Sequence, residues 1–483
     1  MTLKAEESST ETVNPAVFAC SEGAKNPYFI CGLSHFLRKY GLSKAVSTDS
    51  MDIYFGYSLP CEYKPKIRVV FRYSSSRGLC YLNIGGEELP FFCTPCRIEH
   101  GESLMQALCG GKAYNCAACS ENTVIIGFDL LAECGKFLCG FYDDYFLRKD
   151  EPGKKLRSLP VVDILEEWLF QVICRSLPEM NLRPLFNWPD GHRFAMVLTH
   201  DVDEVSKRHQ YLPSIAGAFR RGCVSDLFYH LSNLLFRHGL NNPYWTFDAI
   251  IKLENALGVK STFYFLHETG RVNPFKFRSW ILYSGRYRIT RLEIQEVIKK
   301  LKAAGFEIGV HGSYRSYCDT NLLMNEKRIL EWVTGDKVLG VRQHYLNYNP
   351  VDTPRIHLEC GFAYDSSIGL KPASGIGFRR GTCFPFLVTD VKGTSCQVLE
   401  LPLIIMDSAV GISAQPEECF RLMDQVEKYR GVLTILWHTR NFCEKENRLL
   451  ANLYEKLIIE AQARNAWIAR AVDVCNWVLG WHG

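Results

Sequence analysis

Residues 194–203 read FAMVLTHDVD, an apolar run that closes on two carboxylates, Asp201 and Asp203. A strand buried on both faces carries a continuous apolar run of this kind rather than an alternation. The scheme recurs downstream. FDAIIKLENALGVKSTFYFL (247–266) reads as a helix, a glycine at 258 and a β-rich run. ITRLEIQEVIKKLKAAGFEIGVH (289–311) repeats it, with Thr290 and Glu293 spaced as a capping box and Gly305 placed for a left-handed turn after the helix. VLTILWH (432–438) is a further buried strand. Alternating β and α elements predict an α/β fold built on a parallel sheet or barrel.

Each of these strands ends in a residue able to do chemistry. FAMVLT leads into His200, Asp201 and Asp203; FEIGV into His311; VLGVRQ carries Arg342 and runs into His344; SCQVLE ends in Glu400; VLTILW ends in His438. Parallel barrels gather their active sites at the C-terminal strand ends, where the loops share one mouth. Taken singly, each residue has a plainer reading. An aspartate after a strand commonly caps a turn, His311 sits among turn-forming Gly and Ser, and His438 could be a hydrogen-bonded core histidine. Their coincidence at corresponding ends points to a site.

Outward from this half, 483 residues suit two or three domains. Residues 1–20 are polar and expected to be disordered. DIYFGYSL (52–59), IRVVFRY (67–73), CYLNIGG (80–86) and TVIIGFDLL (123–131) are strand-like, and VVDILEEWLFQVICRSL (161–177) has helical apolar spacing. The proline-rich segment 178–193 reads as a linker. The division is therefore a smaller N-terminal α/β domain over 21–190 and a second domain over 191–483. With 56 basic and 52 acidic residues the net charge is +4, too small to argue for nucleic acid. The N-terminus shows no apolar signal region, and no run approaches the ~18 apolar residues of a membrane span. The expectation is a cytoplasmic protein with reduced thiols.

LTHDVD, STFYFL, EIGVHGSYRSY, GVRQHYLNY and LTILWH resemble, in order and spacing, the motifs of the polysaccharide deacetylases, carbohydrate esterase family 4. The resemblance covers roughly residues 192–475 and suggests a subgroup with an extra upstream domain. It implies a distorted parallel (β/α) barrel in which a divalent metal, usually zinc, binds the water that attacks an N-acetyl carbonyl of a sugar or glycan precursor. It makes Asp201 the base, Asp203 and His311 metal ligands, His438 the acid for the leaving amine, and Arg342 the residue that orients the base.

This sequence departs from the family at one place. The family's second metal histidine, four residues after the first, is replaced here by Arg315, and arginine cannot ligate zinc. Two protein ligands remain where catalytic zinc commonly has three. His344 is the candidate third ligand, with His200 and His267 behind it; the alternatives are a weak metal site, a metal-independent hydrolase or an inactive enzyme. Arg315, Tyr314 and Tyr345 are candidate substrate contacts, Arg315 for an acidic group. Cys93, Cys96, Cys116 and Cys119 have the C-x2-C-x19-C-x2-C spacing of a structural zinc site, against which stands the bland reading of small buried thiols. Three functions follow: N-deacetylation of a sugar, an inactive carbohydrate-binding or assembly module, or hydrolysis of a non-sugar C–N bond.

Overall fold

The structure is a computed structural model and describes residues 16–19, 25–44, 52–58, 65–74, 77–184, 186–237, 242–273, 275–389, 395–411 and 415–480. The chain forms two compact units, one of Met1–Gly135 with Leu165–Asn187, the other of Lys136–Ile164 with Trp188–Gly483. The division is not a single cut, since Lys136–Ile164 belongs with the later residues.

The first unit carries a nine-stranded mixed sheet. Of the N-terminal segment expected to be disordered, residues 1–15 lie outside the described residues, but Ala16–Ala19 is a strand. It pairs in parallel with Ile53–Gly56 and buries Val17. The run 123–131 divides. Thr123–Ile126 is a strand, then Asp129 accepts the Ala132 N–H and opens the helix Leu130–Leu138.

The four cysteines do not make a zinc site. Among the described residues, the groups of three or more ligand atoms close enough to hold a metal ion do not include these cysteines, and Cys116 stands at an irregularity in the pairing of the strand Lys112–Ser120. Their thiols donate to the carbonyls of Met105 and Glu121, and that of Cys96 to Tyr73. Burial pushes the Cys116 thiol up to about 12. Nor are all thiols free: Cys80 and Cys109, directly opposite on paired strands, form a disulfide.

The second unit is built on ten strands: β1 (Phe194–Val202), β2 (Thr262–Leu266), β3 (Glu307–Gly312), β4 (Gly340–Gln343), β5 (Tyr364–Asp365), β6 (Phe386–Thr389), β7 (Ser395–Glu400), β8 (Leu403–Met406), β9 (Val432–Leu436) and β10 (Ala466–Ala469). Their order is β6-β7-β5-β4-β3-β2-β1-β9-β8, with β10 also on β1. All pairs are parallel except β6 with β7. All nine residues of β1 are buried, as its apolar run predicts. After β1 come α1 (Tyr211–Arg220), α2 (Val224–Ser232) and α3 (Phe247–Ala256). α4 (Leu292–Ala303) buries Ile294, Val297, Ile298 and Leu301, one face of a 3.6-residue helix. The predicted Thr290–Glu293 capping box does not form. The N-cap is Arg291 without a side-chain bond, so the helix starts a residue later than the spacing suggests. Gly305 does take the left-handed conformation.

The sheet curls. Three strand spacings of ~4.8 Å separate β4 from β1, about 14 Å along a flat sheet. Yet Arg342 on β4 reaches Thr199 and Asp201 on β1 at 2.6 and 3.2 Å. The barrel is not closed among the described residues: the sheet path ends at β6 and β8, and β7 and β8 do not pair. Pro402, which has no N–H to donate, stands between them.

Curvature needs small residues on the inner face. A Cβ on Gly309 in β3 would lie 2.5 Å from the Tyr264 ring. That ring lies under the Arg342 guanidinium, 4.7 Å from its centroid. Gly309→Val is expected to cost about 3 kcal/mol by urea unfolding, within the range for overpacked cores. A loss well under 1 kcal/mol would show that the Tyr264 ring can move aside.

Candidate active site

Strand register places the polar residues at one level. Asp201 is opposite Tyr264, His311 is opposite both Leu266 and Arg342, and Leu436 is opposite both Thr199 and Met406. Asp407 directly follows β8 and His438 stands two residues past the end of β9, so both leave the sheet at the same edge. Along β1, Thr199, Asp201 and Asp203 lie two apart and share a face, whereas His200 turns to the other.

The shared face opens into a cavity of about 770 Å³, whose walls include Asp201, Asp203, His311, His344, Tyr345 and His438. Arg342 is wholly buried beneath. It donates through Nε to the Ser366 carbonyl, through Nη2 to Ser366 Oγ, and through Nη1 to Thr199 Oγ1 and Asp201 Oδ1. Asp201 Oδ2 lies 3.7 Å from His311 Nε2.

Asp203 is the hub. Its Oδ1 lies 3.1 Å from His311 Nε2 and 3.6 Å from His344 Nε2; its Oδ2 lies 3.6 Å from His438 Nε2 and 3.7 Å from Arg440 Nη1. Burial alone would raise this carboxyl, but His344, His311 and His438 outweigh it and hold it well below the usual carboxylate range. Burial depresses His344 well below the usual imidazole range, against the pull of Asp203.

His344 faces the cavity because the chain turns sharply after β4. Tyr345 and Leu346 both adopt left-handed backbone, with φ of 59° and 51°. Such strain in non-glycine residues gathers where a side chain must be aimed.

The ligand atoms of Asp203, His311 and His344 lie within 4.8 Å of one another, a group able to hold a metal ion. The donors fit. His311 Nδ1 donates to the Arg342 carbonyl at 2.9 Å, which leaves the Nε2 lone pair facing Asp203. Two imidazoles and one carboxylate are a common catalytic zinc set with room for a further ligand. His344 Nδ1 is buried and has no hydrogen-bond partner among the described residues, so its tautomer is not fixed in the same way.

His438 has another partner, which the sequence reading overlooked. Asp407 accepts from His438 Nδ1 at 2.7 Å, from the His438 backbone N–H and from Asn441 Nδ2, both at 2.6 Å. Burial would lower His438, but Asp407 outweighs it and raises it. The signal was present: LIIMD (403–407) is another apolar strand ending in a carboxylate. Glu204, Arg286 and Arg440 also line the cavity without having been singled out. Arg286 lies 3.4 Å and Arg440 3.9 Å from Glu204.

Other candidates fall elsewhere. His200 is a satisfied core residue, with Nδ1 bonded to the Trp437 carbonyl and Nε2 to Glu254, both at 2.8 Å. His267 Nδ1 accepts the Ile289 N–H. Glu400 is buried and accepts the Ile368 N–H. Arg315 is exposed, and neither it nor Tyr314 is among the cavity walls, whereas Tyr345 is. The loop is turned by its backbone: Ser313 N–H donates to Glu326 and Tyr314 N–H to Glu268.

No family model and no curated protein matches the chain. The solved structures that it matches include polysaccharide deacetylases. One, described as a probable polysaccharide deacetylase from Pseudomonas aeruginosa PAO1, is 17% identical with TM-score 0.39, over 63% of this chain and 96% of that one. A Puue allantoinase is 19% identical with TM-score 0.38, over 61% and 92%. The catalytic domain of a peptidoglycan N-acetylglucosamine deacetylase from Eubacterium rectale is 13% identical with TM-score 0.30, over 59% and 90%. All three similarities are distant.

The Asp407–His438 contact sets a clear test. Asp407→Asn removes the negative charge that raises His438, so its pKa should fall in an NMR titration of metal-free protein. An unchanged value would mean that Asp407 only fixes the position of the ring.

Proposed function

We propose that the cavity hydrolyses an amide, with an N-acetyl group on a sugar of a cytoplasmic glycan or glycan precursor as substrate. The observation that carries this reading is the convergence of Asp203, His311 and His344 beside the Arg342-bound Asp201, with His438 on the opposite oxygen of Asp203. Asp203, His311 and His344 would hold a divalent cation, zinc by its donor set, which supplies Lewis acidity and brings water ionisation near neutral pH.

Arg342 aims Asp201, so that Asp201 accepts the proton of water as its oxygen adds to the amide carbonyl. His438, charged more readily through Asp407, gives a proton to the departing amine nitrogen. Water and amide thus become acetate and amine. Of the candidate substrate contacts Tyr345, Tyr314 and Arg315, this reading favours Tyr345, which lines the cavity.

A second reading has one observation in its favour. Arg440 stands 3.7 Å from Asp203 Oδ2 and could neutralise it without a metal. The protein would then be a metal-free carbohydrate-binding module.

Metal analysis and acetate release from N-acetylated sugars separate the two readings. The purified protein should hold about one zinc per chain. His311→Ala and His344→Ala should each lower metal affinity by at least tenfold, whereas Arg315→Ala should leave it unchanged. Wild type that binds no zinc, cobalt or manganese would favour the binding module. Asp201→Asn should keep the metal and lower kcat about 10³-fold. Retained turnover in that variant would place the base elsewhere.

A further inference from the structure

A surface helix ordinarily turns its apolar stripe inward. α1 and α2 do the reverse. In α1, Leu212, Ala216 and Phe219 recur at helical spacing and all are exposed, Leu212 to 69% and Phe219 to 75%. α2 and the turn after it repeat the pattern with Val224, Phe228, Leu231 and Leu235, exposed to 71%, 73%, 42% and 60%. The buried positions are few: Tyr211 and Ala218 in α1, His230 in α2. Side chains this exposed stand out from the surface and do not line a groove.

The charges beside the stripes are mainly basic. Arg208, Arg220 and Arg221 are exposed, and Asp226 is the sole acidic residue from 208 to 235. Asp226 is paired with Arg221, while Arg208 and Arg220 have no acidic partner among the described residues. A second segment repeats the chemistry: Phe275 is 95% exposed, Lys276 follows it, and Trp280 is 48% exposed. Both segments border the cavity, which takes His209, Gln210 and Pro213 from the first and Trp280 from the second.

Protruding apolar stripes flanked by arginines suit the boundary between lipid headgroups and acyl chains. The arginine stems can lie along apolar surface while their heads meet phosphates. We propose that α1 and α2 dock this face on an anionic lipid bilayer, with the cavity mouth turned toward the headgroups. The proposed attachment is peripheral; no helix among the described residues is long and apolar enough to cross a membrane. The inference does not depend on the reaction in the cavity.

The test is flotation of the full chain with phosphatidylcholine vesicles, plain or containing about 30% phosphatidylserine. The chain should float with the anionic vesicles, and binding should fall several-fold without phosphatidylserine and in roughly 0.5 M salt. Phe219→Glu with Phe228→Glu should reduce the bound fraction at least tenfold with an unchanged thermal midpoint. Arg208→Ser with Arg220→Ser and Arg221→Ser leaves the apolar stripes intact and should lose the preference for phosphatidylserine. Failure of wild type to float with either vesicle overturns the proposal. So does a dimer in sedimentation equilibrium that the double Glu variant dissociates while vesicles bind neither form, since the stripes would then cover a second copy.

Discussion

A guanidinium with no access to water holds this site together. Taking a charged group out of water costs several kcal/mol, and the structure tolerates it only when the donors are matched. Arg342 bonds through Nε, Nη1 and Nη2 to Ser366, Thr199 and Asp201, over the face of Tyr264. These partners lie on β1, on β2 and just after β5, so the bonds form only if the sheet curls. Curling in turn requires room, and Gly309 leaves it beneath Tyr264. Orientation of Asp201 thus depends on a glycine two strands away in chain order.

The histidines show how one residue type takes different tasks. What distinguishes them is the partner of each ring's second nitrogen. His200 spends both nitrogens inside the core. His311 spends one on a backbone carbonyl and turns the other to Asp203. His438 is tied to a carboxylate that favours its charged form. His344 is buried and aimed by two strained residues. A ring fixed by a carbonyl suits a ligand, and a ring fixed by a carboxylate suits a proton donor.

Much of this was legible because strand ends are marked by composition. Long apolar runs stop where the chain leaves the sheet, and Asp201, Asp203, His311, Arg342, His344 and His438 stand at those stops. Asp407 obeys the same rule and was passed over, since LIIM is short and lies close behind Glu400. The cysteine pattern misled because spacing along the chain does not fix where the sulfurs lie: Cys116 stands at an irregularity of the strand pairing, and the thiols of Cys96, Cys116 and Cys119 bond to three separate carbonyls. The capping box failed for a related reason. Sequence fixes the distance from Thr290 to Glu293, while packing of Ile294, Val297 and Ile298 decides which residue begins the helix.

What the sequence by itself determined was the α/β alternation, the parallel strands and the set of polar residues at their ends, because those follow from local periodicity. It also determined that Thr199, Asp201 and Asp203 share a face, since side chains alternate along a strand. Only the tertiary structure decided that the sheet stops short of a closed barrel and that Asp407 backs His438. It alone brought His344 close to Asp203 where Arg315 is turned away. Those outcomes depend on how far the sheet curls and how the loops leave it, and both are set by contacts between residues far apart in the chain.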